Sequence, residues 1–445
     1  MTRYFCDAAY LGTAPATADV LVTVEGERFA AVDAGTARPA DAVHLRGLTL
    51  PGFANAHSHA FHRALRGRAE GPGTFWTWRE QMYALAAVLD PASYRRLATA
   101  VFAEMVLAGY TAVGEFHYLH HQPEGGRYED PNEMGAAVLG AAGAAGIRIT
   151  LLDVCYLGAG AGRPLSPAQR RFADAGVEAW AERVGALTAP QGARLGAAVH
   201  SLRAVPPPTA GTVAQHARAL GMPLHFHLSE QPTENDAVLE AYGATPAALL
   251  EEVGALGAGS TAVHATHLTP ADIEALGSSR TQVCVCPTTE RSLGDGIGPA
   301  RALADAGSAL SLGSDSHAVV DPFEEARALE LDERLASGAR GRFGTGELLD
   351  AACAAGHRAI GWSEAGRIEP GCLGDLVTVS LDSVRLAGAQ ADDVLEHALF
   401  AAGAPDVTDV VVSGRHVVAE GRHVLGDVAH ELRGALGDVL GRARR

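Results

Sequence analysis

Eight short apolar runs recur between residues 53 and 313, and helical stretches separate them. An alternation of strand and helix predicts parallel strands joined by right-handed crossovers. Eight repeats over about 260 residues predict an α/β fold, a (β/α)8 TIM-like barrel. The runs are Phe53–His57, Thr111–Phe116, Ile147–Cys155, Leu195–His200, Leu224–Leu228, Thr261–His264, Val283–Cys286 and Ala309–Gly313.

An open, doubly wound sheet is the alternative arrangement of the same elements. Three of the runs end in His, four others are followed within four residues by His, Glu or Asp, and in a barrel those strand ends converge on one mouth. The position of the polar residues therefore favours the barrel. The predicted helices between the runs include Pro91–Ala108, Pro131–Ala145, Pro167–Val184, Thr209–Leu220 and Thr245–Leu256.

Both ends of the chain are rich in predicted strands. Asp19–Asp33 is typical of two strands around a turn, and Gly374–Ser380 and Asp409–Ala419 show the same pattern. Chain ends often lie close together, so the two segments can form one sheet. We expect four parts: residues 1–50 and 366–425 in the terminal β domain, 51–365 in the barrel, and 426–445 in a final helix.

The chain contains 35 basic residues, all of them Arg, and 52 acidic ones, which gives a net charge of −17. The lack of Lys excludes a Walker-type phosphate loop, a Schiff-base enzyme and a metal site bridged by a carboxylated Lys. The acidic balance argues against nucleic acid or an anionic membrane as the main partner.

The six cysteines are scattered and form no C-x-x-C pair. This usage predicts free thiols in a reducing compartment. The first twelve residues lack the pattern of a signal peptide, and no apolar run reaches about 18 residues. We therefore expect a cytoplasmic protein without a membrane span.

Histidines mark two of the strand ends. His57 and His59 are two residues apart, so on a strand both imidazoles face the same side and can reach one ion. His227 alternates with apolar residues and is predicted to face the barrel interior. Glu230 follows just past that strand, where a proton carrier over the mouth would lie. A surface salt bridge is the alternative for Glu230.

His264 ends the sixth run and Asp315 follows the eighth. Either residue alone also fits a structural role, as a satisfied polar group in a barrel or as part of a turn. Together with the earlier histidines they place imidazoles and a carboxylate at four strand ends.

This arrangement resembles the amidohydrolase superfamily. The absence of Lys points to its mononuclear branch, in which the metal is usually one zinc ion per subunit. The resemblance implies that zinc is held by His57, His59, His227 and Asp315. It also implies that the two chain ends form a composite β-sandwich.

Six ordered motifs between about Pro51 and Glu330 resemble the formimidoylglutamate deiminase family more closely. The resemblance implies hydrolysis of N-formimino-L-glutamate to N-formyl-L-glutamate and ammonia in histidine degradation, and a homodimer. The motifs are His57–Ala64, Phe75–Glu80, Glu115–His121, His200–Ala204, Thr288–Gly296 and Gly313–His317.

The expected reaction needs three catalytic side chains. Asp315 can accept a proton from the attacking water, and Glu230 can carry a proton to the departing nitrogen. His264 can polarise the reacting group. We expect attack on a C=N carbon and loss of ammonia.

A substrate with two carboxylates favours Arg, whose planar fork matches a carboxylate. The family resemblance implies substrate contacts from Arg79, Arg203, Tyr118 and His200. His62 stands where the family generally has Gln, and a His there can donate a similar hydrogen bond.

Three alternatives stay open at this point. His62 leaves room for a relative that acts on formiminoaspartate or a guanidino acid. Deamination of a heterocyclic base is a second alternative, although two Arg count against it. A non-catalytic metal-binding barrel is the third, and the presence of all four ligand positions argues against it.

Overall fold

The computed structural model describes residues 1–160 and 163–444. Residues 161 and 162, and Arg445 at the end of the expected segment 426–445, lie outside the described residues. The strands are β1 (Thr2–Ala9), β2 (Thr17–Glu25), β3 (Arg28–Asp33), β4 (Val43–Pro51), β5 (Phe53–Ser58), β6 (Tyr110–His117), β7 (Arg148–Cys155), β8 (Ala193–Val199), β9 (Leu224–Leu228), β10 (Ser260–His264), β11 (Gln282–Val285), β12 (Leu310–Leu312), β13 (Leu376–Val379), β14 (Val407–Val412), β15 (Arg415–Ala419) and β16 (Arg422–His423).

The helices connect and cover these strands, and many begin with proline, whose fixed φ suits a first helical turn. They are α1 (Phe75–Ala86), α2 (Pro91–Leu107), α3 (Glu133–Ala145), α4 (Val177–Gly185), α5 (Pro207–Leu220), α6 (Pro232–Tyr242), α7 (Pro246–Glu252), α8 (Pro270–Ser278), α9 (Pro287–Leu293), α10 (Ala300–Ala306), α11 (Pro322–Ser337), α12 (Thr345–Asp350), α13 (Gly356–Ala359), α14 (Val394–Ala401) and α15 (Val428–Ala443).

The barrel is built from β5 to β12, which lie side by side in chain order and pair in parallel. The predicted (β/α)8 barrel is therefore confirmed. It closes at the carboxyl-terminal end of its first and last strands. There the Asp315 N–H donates to the His57 carbonyl at 3.0 Å, and the His59 N–H donates to the Asp315 carbonyl at 3.2 Å.

The two chain ends form one mixed sheet beside the barrel, which confirms the composite β domain. Its strand order is β16-β15-β14-β13-β4-β1-β2-β3. The join lies where β13 pairs antiparallel with β4, with Leu376 opposite Pro51. A separate apolar core, which includes Tyr4, Val22 and Val411, stabilises this sheet.

The single helix predicted over Pro167–Val184 is wrong. The structure has a 3-10 helix at Pro167–Phe172 and then a break before α4. Ala173 is extended, and buried Asp174 accepts hydrogen bonds from Arg183 at 2.8–3.3 Å. An ion pair buried on both sides outweighs local helix propensity here.

Among the described residues, no helix combines the length and the apolar character that crossing a bilayer requires.

Candidate active site

Four donor groups meet at the mouth of the barrel. His57 and His59 come from the end of β5, His227 from β9, and Asp315 follows β12. One ligand atom from each residue lies within 4.8 Å of those of the other three. The Oδ1 atom of Asp315 is 3.4 Å from His57 Nε2 and 3.3 Å from His59 Nε2.

The Nδ1 atoms of His59 and His227 make hydrogen bonds that fix the orientation of their rings. His59 Nδ1 lies 3.0 Å from the carbonyl of Phe116, and His227 Nδ1 lies 2.8 Å from the carbonyl of His200. A carbonyl can only accept, so each Nδ1 carries the proton and each Nε2 turns a lone pair inward. His227 Nε2 lies 3.1 Å from His57 Nε2.

Burial keeps the imidazoles neutral. It lowers the pKa of His57 to about 3 and that of His59 to about 4, and it holds the pKa of His227 well below the usual value. Burial opposes ionisation of Asp315 as well, but the adjacent His57 and His59 lower its pKa well below the ordinary range. Neutral imidazoles around a carboxylate are the form in which these groups bind a metal ion.

Several residues at this mouth have backbone strain. Ser229, His264, Asp315 and His317 have φ values of 51°, 70°, 36° and 58°, although none is glycine. Each such conformation costs about 1–3 kcal/mol and persists where the surrounding structure enforces it. The surrounding structure therefore holds these strand ends in a less stable backbone conformation.

An acid–base group faces the four donors. Glu230 Oε1 lies 3.8 Å from His264 Nε2, and the same nitrogen lies 4.0 Å from Asp315 Oδ2. Burial raises the pKa of Glu230 to about 6, against the opposing effect of His264 and Arg203. A carboxyl group with this pKa exchanges protons readily near neutral pH.

A cavity of about 720 Å³ opens from this point. The residues that the sequence predicted for the site line it, except His57, which is fully buried behind it. His62 Nε2 lies 2.8 Å from the Tyr118 hydroxyl, and His62 Nδ1 is buried and has no hydrogen-bond partner in the described part of the chain. The His200 ring packs edge-on against Tyr156 at 4.7 Å.

Two Arg side chains lie in the cavity wall. The Arg79 guanidinium stacks over Trp76 at 4.5 Å, and its Nε is buried with no hydrogen-bond partner among the described residues. Arg203 lies 3.4 Å from Glu230 and 3.5 Å from Glu234, so its charge is already partly matched. Arg79 is therefore the cation with more capacity for an added anion.

Glu115, to which no role was assigned from the sequence, lies directly behind the His57–His59 segment. Ser58 donates to it at 2.6 Å and the Ala60 N–H at 2.7 Å. Burial raises its pKa to about 8. Glu115 belongs to the motif Glu115–His121, but Ser58 and Ala60 lie more than 50 positions away in the sequence, so spacing alone could not identify these contacts.

Comparison with known proteins gives one family and several relatives. The Amidohydrolase family matches residues 48–417. A formimidoylglutamate deiminase of Pseudomonas aeruginosa is 42% identical over 85% of this chain and 86% of its own length.

Two solved structures superpose over nearly the whole chain. An amidohydrolase from Brucella melitensis has a TM-score of 0.90 and 32% identity, covering 99% of this chain and 100% of its own. An adenosine deaminase from Xanthomonas campestris with bound zinc has a TM-score of 0.85 and 25% identity, covering 100% and 98%.

Proposed function

The chain belongs to the amidohydrolase family, and we propose that it hydrolyses N-formimino-L-glutamate to N-formyl-L-glutamate and ammonia in histidine degradation. One observation carries the proposal. A single cavity joins Glu230 and three of the four metal-binding donors to Arg79, whose guanidinium pairs with no carboxylate among the described residues. The reactive end of an amidine and the carboxylate end of the same small molecule thus have matching groups.

One zinc ion per chain is part of this proposal. Three neutral imidazoles and a carboxylate are a donor set that suits zinc, and His57, His59, His227 and Asp315 would hold it. The approach of His57 Nε2 and His227 Nε2 to 3.1 Å supports the fit, since the two ring nitrogens are close enough to share one cation. Bound there, zinc would lower the pKa of a water from ~15.7 toward ~7.

Glu230 handles the proton. Its carboxylate takes a proton from the attacking water and delivers it to the nitrogen that departs, because ammonia leaves readily and an amide anion does not. His264 presents Nε2 toward the same space and stabilises charge that develops on the reacting carbon's substituents. Asp315 is the second group that can accept a proton from the water.

The dicarboxylate end is recognised by the wall of the cavity. Arg79 and Arg203 pair with the carboxylates, and Tyr118 and His200 complete the polar lining. The buried, unpartnered Nδ1 of His62 is a further group that can contact the substrate. His62 is the position at which a preference for N-formimino-L-aspartate would arise.

Deamination of a heterocyclic base is the second candidate function. Phe75, Trp76 and Trp78 line the cavity and offer faces on which a ring can stack. The chain's similarity to an adenosine deaminase supports the same chemistry at carbon. The presence of Arg79 and Arg203 in the cavity wall favours N-formimino-L-glutamate over a heterocyclic base.

We also propose a cytoplasmic location and a homodimer. The described cysteines are free and buried, which suits a reducing compartment. The dimer rests on the family resemblance, and light scattering after size-exclusion chromatography measures it.

The test is ammonia release by the zinc-loaded protein from N-formimino-L-glutamate, with N-formimino-L-aspartate and guanine as comparisons. We expect fast release from the glutamate compound and loss of release in Glu230→Gln. A preference for the aspartate compound would keep the chemistry and direct attention to His62. No release from any of the three by zinc-loaded protein would contradict the proposal.

A further inference from the structure

The imidazole of His264 lies between carboxylates on both sides. Its Nε2 faces the cavity, near Glu230 and Asp315. Its Nδ1 points the opposite way and lies 3.3 Å from Oε1 of Glu290. The proposed reaction uses only the Nε2 atom of His264. The contact between Nδ1 and Glu290 therefore needs a separate explanation.

Glu290 is itself held rigidly. It lies on α9 with 5% of its surface exposed. Its Oε1 also accepts the backbone N–H of Cys286 at 2.9 Å, while its own N–H donates to the Cys286 carbonyl at 2.9 Å. The Asp295 N–H donates to the Glu290 carbonyl at 2.9 Å. Glu290 does not belong to the described lining of the cavity.

A carboxylate beside Nδ1 keeps a proton on that nitrogen and sets the ring angle. His264 needs such support, because its φ of 70° and that of Ala265 at 52° place the ring on a strained strand end. We propose that Glu290 is a positioning residue that holds the His264 ring so that Nε2 faces the reacting group. This inference rests on the proposed function for what Nε2 does there.

A metal-binding role is the competing use of the same groups. One ligand atom each from His264, Cys286 and Glu290 lies within 4.8 Å of the other two. We favour the role of orienting the His264 ring over metal binding, because Oε1 of Glu290 already accepts two N–H groups at hydrogen-bond distance. A metal ion would have to displace the proton from His264 Nδ1.

The kinetic test compares Glu290→Ala and Glu290→Gln in the zinc-loaded enzyme. Glu290→Ala removes the acceptor, and we expect kcat to fall about 10–100-fold, as for other residues that orient a functional His, with KM unchanged. Glu290→Gln keeps an acceptor oxygen and restores most of the loss. Zinc content stays equal to that of the wild type in both variants.

Glu330→Ala is the matched control. Glu330 is fully buried and accepts backbone N–H groups from Gly341 at 2.8 Å and Phe343 at 2.6 Å, but it does not touch His264 or Glu290. We expect Glu330→Ala to lower the free energy of unfolding and to leave kcat at the wild-type value. An equal fall of kcat in Glu330→Ala and Glu290→Ala would overturn the positioning role.

A spectroscopic readout separates this inference from the proposed function, because it needs no turnover. With ¹⁵N-labelled histidine, the Nδ1–H proton of His264 is assigned by its loss in His264→Asn. We expect Glu290→Ala to shift or abolish this signal, and Glu290→Gln and Glu330→Ala to retain it. An unmoved signal in Glu290→Ala would overturn the inference, as would a second zinc equivalent that binds the wild type and is lost in that variant. Should Glu290→Ala fail to fold, a wild-type ring signal and a wild-type kcat in Glu290→Asp, whose shorter side chain cannot reach His264 Nδ1, would overturn it instead.

Discussion

At the amino-terminal end of the barrel a buried Arg–Asp pair matches opposite charges, whereas at the carboxyl-terminal end the imidazoles of the proposed metal site lie against one another. Arg148, at the start of β7, donates both terminal guanidinium nitrogens to Asp375, and one of these bonds measures 2.6 Å. Asp375 also accepts the Ser413 N–H at 2.8 Å. Burial opposes its charge, but Arg148 lowers its pKa below the usual value.

No Arg among the described residues pairs with the four donors of the proposed metal site. Three imidazoles with lowered pKa values surround Asp315, and the nearest pair of nitrogens is 3.1 Å apart. A buried pair of opposite charges is needed to keep the fold stable, while a cluster of unmatched donors is preorganised for a group that binds later. The barrel thus keeps stability at one end and chemistry at the other, as the fold generally does.

The largest expected effect comes from breaking the cluster at the mouth. Asp315→Asn and His227→Ala each remove a proposed metal ligand, so metal binding should fail and kcat should drop at least about 1,000-fold. The loss of metal is measured by elemental analysis of the purified variants. Their thermal unfolding should change little relative to the metal-free wild type. A variant that loses zinc and keeps activity would contradict the proposal that the donors at the mouth hold the metal needed for the reaction.

At the amino-terminal end of the barrel, we expect a substitution to reduce stability and to leave activity unchanged. Asp375→Asn leaves Arg148 buried without its partner and should lower the free energy of unfolding by about 3–5 kcal/mol. Chemical denaturation measures the loss, and kcat per folded molecule should stay at the wild-type value. Asp438→Asn is the matched control, because its pair with Arg96 is exposed and contributes less than about 1 kcal/mol. Equal losses in both variants would contradict a special role for the buried pair.

A third substitution separates substrate binding from the chemical step within the mouth of the barrel. Arg79→Met keeps the stem of the side chain on Trp76 and removes the charge, so KM should rise about 10–100-fold while kcat stays the same. Steady-state kinetics measure both constants. Arg95→Met, at an exposed position on α2, controls for the change in net charge and should leave both constants unaltered. A fall in kcat alone would place Arg79 in the chemical step.

The smallest effect is a pH dependence. Glu230 must be ionised to take a proton from water, and burial raises its pKa to about 6. The value of kcat/KM should therefore be level above that pH and fall about tenfold per unit below it. Zinc content is measured across the same range to separate loss of metal from protonation. A profile that stays level to pH ~5 with zinc retained would contradict this role for Glu230.

The sequence predicted the barrel because each strand carries its own apolar run and its own polar end. The strands β1 and β4 were missed, since Thr2–Ala9 and Val43–Pro51 interleave polar residues and find their partners in distant parts of the chain. The predicted site residues meet because their strand ends share one mouth. Glu115 and Glu290 were not identified, as their contacts depend on packing between elements that no local pattern encodes.

The most direct test of the account is turnover as a function of zinc content. Apoprotein prepared with a chelator is reloaded in steps, and ammonia release from N-formimino-L-glutamate is measured beside the bound zinc. We predict that activity rises in proportion and stops at one zinc per chain, and that His227→Ala neither binds zinc nor regains activity. Full activity of the metal-free protein, or a maximum that requires two zinc ions, would contradict the account.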